Sequence, residues 1–112
     1  KNDILKVLRL SHEALKQNGL LIVRVINAEN PMWGRHFYHD FTHETPFTRD
    51  TLRQCLDITG FDPVRIDFEV LPVSIGQIRQ TFRRIGLWFL GKLLGVTPSA
   101  FTEDLIAIAR KR

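Results

Sequence analysis

Along the chain the apolar positions first fall at near-helical spacing. Ile4, Leu5, Val7, Leu8, Ala14 and Leu15 predict a helix with one buried face. Asn18-Gly19 follows, a pair that accepts the left-handed backbone and so ends the helix. The pattern then changes: Leu20-Leu21-Ile22-Val23-Arg24-Val25-Ile26 is almost continuously apolar and rich in branched side chains, as in a strand buried on both faces of a sheet. From Ala28 to Pro46 no period is sustained, and the segment concentrates Trp33, His36, Phe37, Tyr38, His39, Phe41 and His43 around two prolines and one glycine. A long loop of that composition is a place for function or for a partner. Helical spacing resumes from Arg49 to Ile58, with Thr48 as N-cap, Asp50 in the first turn and Gly60 as the stop. Pro63 to Leu71 alternates, turning Val64, Ile66, Phe68 and Val70 to one side, which predicts a strand with one buried face. A third helix is predicted from Ile75 to Leu94, its stripe of Ile78, Phe82, Ile85, Phe89 and Leu93 set beside Arg79, Arg83 and Lys92, with Gly95 and Pro98 closing it. Asp104 to Arg110 reads as a final strand.

Helices alternating with strands predict an α/β sheet with helices on its faces, and 112 residues allow one domain. The 44% hydrophobic and 25% charged content excludes a disordered chain. The formal charge of +4 gathers in Arg79, Arg83, Arg84 and Lys92 and in the tail Arg110-Lys111-Arg112, a patch suited to phosphate groups. No nucleic-acid module accompanies it, so nucleic acid is not an expected partner. The single Cys55 has no internal disulfide partner and fits a reducing compartment. No apolar run approaches the roughly 18 residues that span a bilayer. The expected location is the cytoplasm, with a peripheral membrane association if the third helix touches lipid.

Two stretches carry a family resemblance. His12-Glu13-Ala14-Leu15-Lys16-Gln17-Asn18-Gly19-Leu20-Leu21-Ile22-Val23 resembles the place where a helix turns into the fifth strand of class I S-adenosylmethionine-dependent methyltransferases. Asn18 stands where that family more often has glycine. Tyr38-His39-Asp40-Phe41-Thr42-His43-Glu44-Thr45-Pro46-Phe47-Thr48, followed by Thr51-Leu52 and Gly60-Phe61, resembles a branch with a histidine-bearing loop before a Phe-Thr helix start and a Gly-Phe turn into the sixth strand. The resemblance implies the C-terminal, substrate-side part of a Rossmann-like sheet, with fifth, sixth and antiparallel seventh strands and flanking helices. Residues 75–95 would then be an amphipathic helical insertion between the last two strands. It also implies S-adenosylmethionine as cofactor of the full-length protein. No G-x-G-x-x-G loop occurs here, so the cofactor-binding residues are expected upstream of Lys1, and residues 1–112 are expected to be a partial domain, inactive alone.

Ligands of open α/β sheets sit beyond the carboxyl ends of the parallel strands, which singles out Asn27 to His43. In the methyltransferase reading His43 is the candidate base and Asp40 or Glu44 orients it. Tyr38 and Trp33 shape the pocket, and Asn27 and His39 complete the substrate contacts. The same residues also support a structural reading: Asp40, Thr42 and His43 fasten the loop, and Asn27 caps the strand. The spacing of His36, His39, Asp40 and His43 would suit a metal if they shared a helix face, but the surrounding aromatic and proline residues argue against a helix, so no metal is expected. The acceptor expected is a small molecule, a sugar or a lipid-linked glycan. The competing function is a non-catalytic module docking a membrane or a partner protein through the 75–95 helix. That helix either meets such a surface, lids a lipid-linked substrate, or packs its stripe on the sheet or on a second subunit. A chain of this extent also leaves one edge of its first strand without a neighbour, so edge pairing or self-association is expected.

Overall fold

A computed structural model describes residues 2–69 and 77–112. Its elements in chain order are α1 (Asn2–Ala14), β1 (Leu20–Ile26), α2 (Trp33–Phe37), α3 (Arg49–Ile58), β2 (Phe61–Phe68), α4 (Gln77–Leu94), a 3₁₀ turn (Pro98–Phe101) and β3 (Asp104–Lys111). The strands form one sheet in the order β1-β3-β2, with β3 antiparallel to both neighbours. β1 and β2 therefore run parallel to each other, held apart by the strand that comes last.

The turns follow from local chemistry. Asn18 takes φ 63°, the left-handed conformation its short amide tolerates, and releases the chain from α1 into β1. At α3 the Thr48 side chain accepts from the Thr51 N–H while the Thr51 hydroxyl accepts from the Thr48 N–H, a closed capping box. Gly60 ends that connection at φ 90°.

One face of the sheet is covered. Register pairs Leu21 with Ala109, Val23 with Ala107 and Val25 with Leu105, so these side chains share a face. Leu8 of α1 and Leu52 and Leu56 of α3 pack there with Phe47, Phe61 and Ile66. Ala107 and Ala109 are fully buried, and their small side chains let the helices approach the central strand closely.

Four expectations are corrected. β1 is not buried on both faces: Ile22 is 69% exposed and Leu20 is exposed beside it, because the described residues lay helices over only one side of the sheet. β2 begins at Phe61 rather than Pro63 and does not alternate cleanly. A register shift between Pro63 and Arg65 leaves Val64 exposed and brings Ile66 opposite Ala107. Pro63 has no N–H to give a ladder, which confines it to an edge strand and favours the irregularity. Val70, Leu71 and Ile75 lie outside the described residues. The loop after β1 contains a short helix, α2, fastened by buried Phe37. Finally, the α4 stripe does not pack on the sheet: Phe82, Ile85, Phe89 and Leu93 are all exposed. α4 instead meets the 3₁₀ turn through buried Gly91, where an added Cβ would lie 2.6 Å from the Val96 carbonyl oxygen.

Candidate functional site

The end of β1 is stitched to the start of β3. Asn27 is fully buried, and its amide nitrogen donates to the Ala100 and Thr102 carbonyls at 2.9 and 3.0 Å. Its side-chain oxygen accepts from the Glu29 N–H. Asn30 repeats the device, donating to the Thr102 carbonyl and accepting from the Met32 N–H. Glu29 accepts from the Arg49 N–H, tying the same turn to the first residue of α3. Phe47 closes the loop by a parallel bridge to Asn27, its N–H donating to the Ile26 carbonyl at 3.0 Å.

Beyond this turn an aromatic cluster forms. Phe37 meets Trp33 and Tyr38 edge-on and lies tilted against His43. His43 Nδ1 is 3.0 Å from the Phe37 carbonyl oxygen. A carbonyl only accepts, so Nδ1 carries the proton and, in the neutral ring, the lone pair is on Nε2. Asp40 does not orient this imidazole: one of its oxygens accepts from both the N–H and the hydroxyl of Thr42. Those two bonds, helped by the nearby His43 and His39, hold its carboxyl below the ordinary carboxylate range. Tyr38, His39, Phe41, His43 and Glu44 are exposed.

Next to this loop lies a cleft of about 370 Å³ between α2, α4 and the segment leading into β3. Arg35, His36 and His39 line it from the loop, Arg83 and Leu87 from α4, and Glu103 from the approach to β3. Of the residues singled out for substrate contact, only His39 lines this cleft; Asn27, Trp33, Tyr38, His43, Asp40 and Glu44 do not. Arg35 was not among the sequence candidates, and Arg83 entered only as a member of the basic patch suited to phosphate groups. Behind the cleft, Asp104 is buried and binds Arg24 by two bonds to one oxygen, at 2.8 and 2.6 Å. Glu69 adds a contact at 2.9 Å, and the Arg24 guanidinium is held even more firmly protonated, first by its bond to Asp104. The other Asp104 oxygen lies 3.9 Å from His36 Nε2. A second, more apolar groove of about 420 Å³ runs between α1 and α3, with Cys55 as its one reactive side chain. Among the described residues no three His, Cys, Asp or Glu side chains gather as metal ligands, and α2 ends at Phe37, before His39, Asp40 and His43.

A crystal structure of an S-adenosylmethionine (SAM)-dependent methyltransferase from Archaeoglobus fulgidus matches 98% of this chain with a TM-score of 0.66 and 19% sequence identity. The fold is methyltransferase-like. This chain spans about half of that protein, 52% of its length. No protein-family model and no curated protein matches the sequence.

The backbone N–H groups after β1 of this methyltransferase-like chain are engaged within the chain: Ala28 donates to Phe47, Glu29 to the Asn27 side chain, Asn30 to the Asn27 carbonyl, and Met32 to the Asn30 side chain.

Proposed function

We propose that this chain is the acceptor-binding part of a SAM-dependent methyltransferase, with β1, β2 and β3 in the places of the family's fifth, sixth and seventh strands. The observation that carries the reading is the antiparallel β3 wedged between parallel β1 and β2, with a cleft beyond the carboxyl end of β1. SAM would supply an already activated methyl group, so the protein's task on this side is to bind, align and deprotonate the acceptor.

The lining of the cleft supports an acidic acceptor. Arg35 lines it from α2 beside His36 and His39, Arg83 lines it from α4, and Glu103 is the one acid among the described lining residues. That distribution suits a sugar or other small molecule bearing a phosphate or carboxylate. We assign proton handling to His36 rather than His43. His36 lines the cleft, and the Asp104 carboxylate lies 3.9 Å from its Nε2, within reach of a pairing that tightens when an acceptor binds. Asp104 is in turn fixed by Arg24, which makes it a positioning residue. His43, bonded to the Phe37 carbonyl, stiffens the loop that presents His36 and His39.

Titration of SAM and S-adenosylhomocysteine into the full-length protein and into this chain tests the reading. Binding by the longer protein alone is expected; no binding by either overturns it. In an active full-length enzyme, Arg83→Ala raises KM for an acidic acceptor by about tenfold, the loss of one charge-assisted hydrogen bond, and leaves S-adenosylhomocysteine affinity unchanged.

A further inference from the structure

α4 presents its apolar side to water. At about 100° per residue, Phe82, Ile85, Phe89 and Leu93 fall within an arc of about 80°. Their exposures lie between 60% and 75%, so this face is not the one that packs. The packing seam is on the opposite side, where buried Gly91 touches the 3₁₀ turn and half-buried Leu87 lines the cleft. Cations flank the outer stripe: Arg83 stands on one side and Lys92 on the other, with Lys92 Nζ 4.7 Å above the Trp88 ring. The helix sequence QIRQTFRRIGLWFLGKLL contains Arg79, Arg83, Arg84 and Lys92 and no acidic residue.

We infer that α4 seats the protein on an anionic lipid surface, lying in the plane of the interface. The occupant follows from the charge pattern. A surface apolar along its centre and cationic along both flanks is complementary to acyl chains overlaid by acidic headgroups, with Trp88 and the Lys92 stem at the boundary. A second copy laid on this face would bring the flanking Arg83 and Lys92 against their counterparts with no acid on the helix to pair them, which opposes self-docking. No helix of the described residues is long and apolar enough to cross a membrane, so the contact is superficial. The tail cations do not share this surface. Lys111 donates to the Leu15 carbonyl and Arg112 to the Asp57 carbonyl, at the far end of β3 from the 3₁₀ turn. The inference rests on α4 itself and stands independently of the methyltransferase reading.

The test is co-sedimentation of the full-length protein with vesicles of phosphatidylcholine alone and of phosphatidylcholine containing about 30 mol% phosphatidylserine. The protein is expected to pellet with the anionic vesicles only, and added salt to release it. Phe89→Asp with Leu93→Asp lowers partitioning at least about tenfold, and Lys92→Glu lowers it about fivefold or more. Both variants keep the parent's melting temperature and oligomeric state. Three outcomes overturn the inference: the parent stays in the supernatant with both vesicle types; the Phe89/Leu93 variant dissociates a dimer, making a second copy the occupant; or that variant melts well below the parent, making the occupant another part of the same chain.

Discussion

With both amide hydrogens given to the Ala100 and Thr102 carbonyls and its oxygen taking the Glu29 N–H, Asn27 is occupied in joining two stretches of backbone. Asn27→Ala leaves these buried groups unpaired and is expected to destabilise the chain by about 2–4 kcal/mol. Urea unfolding measures this, and a loss no larger than that of an exposed Asn would remove Asn27 from the framework. Asp40 makes a prediction of a different kind. Its folded carboxyl titrates below the ordinary value of 3.8 because Thr42 donates to it twice. A depressed pKa contributes stabilisation that is complete above the unfolded value and disappears as pH falls through the folded one. The loop from 38 to 44 should therefore stay fixed down to about pH 4 and loosen below it. Thr42→Val, which removes the hydroxyl donor, should move the Asp40 titration back toward 3.8 when followed by carboxyl NMR; an unmoved titration would contradict the assigned cause.

Among the elements, α3 and its exit turn depend on two residues that act differently. Thr48→Ala breaks the capping box and is expected to cost about 1 kcal/mol. Gly60→Ala should cost more, about 1–3 kcal/mol, because it demands a positive φ of a residue that resists it. The added methyl would also lie 2.9 Å from His12 Nε2, a buried nitrogen without a hydrogen-bond partner among the described residues. Chemical denaturation of the two variants side by side tests that order. These turns were legible in the sequence because Asn18, Thr48 and Gly60 act within a few residues of themselves. The bulge in β2 was not, since Pro63 signals an irregularity without saying which neighbour turns outward. α4 shows a harder limit. The spacing of Phe82, Ile85, Phe89 and Leu93 defines a stripe, but a stripe has the same period whether it faces a sheet or water.

For the molecule as a whole, the helix–strand order was readable from pattern and the antiparallel last strand from the family resemblance, whereas the cleft was readable from neither. Its two arginines come from α2 and α4, separated in sequence by α3 and β2, and only the folded topology makes Arg35 and Arg83 neighbours. The loop residues favoured by the sequence were the aromatic ones, which mostly pack on one another or face solvent. The outer edge of β1 meets only the Phe47 bridge among the described residues, and Leu20 and Ile22 lie bare beside it. We expect the 112-residue chain to associate as its concentration rises and Ile22→Lys to suppress this; sedimentation velocity showing a monomer throughout would refute the expectation. The central position of β3 also sets an order of events. β1 and β2 share no direct hydrogen-bonded register, so every rung of the sheet passes through residues 104–111, and Arg24 waits 80 positions for Asp104. At ribosomal speeds that interval lasts about 4–16 seconds, during which β1 has emerged without β3, the strand it pairs with here. Such long-range closure is intrinsically slow, and it makes nascent β1 a natural target for holding chaperones. A message cut short just before residue 104 would leave β1 and β2 without the strand that joins them.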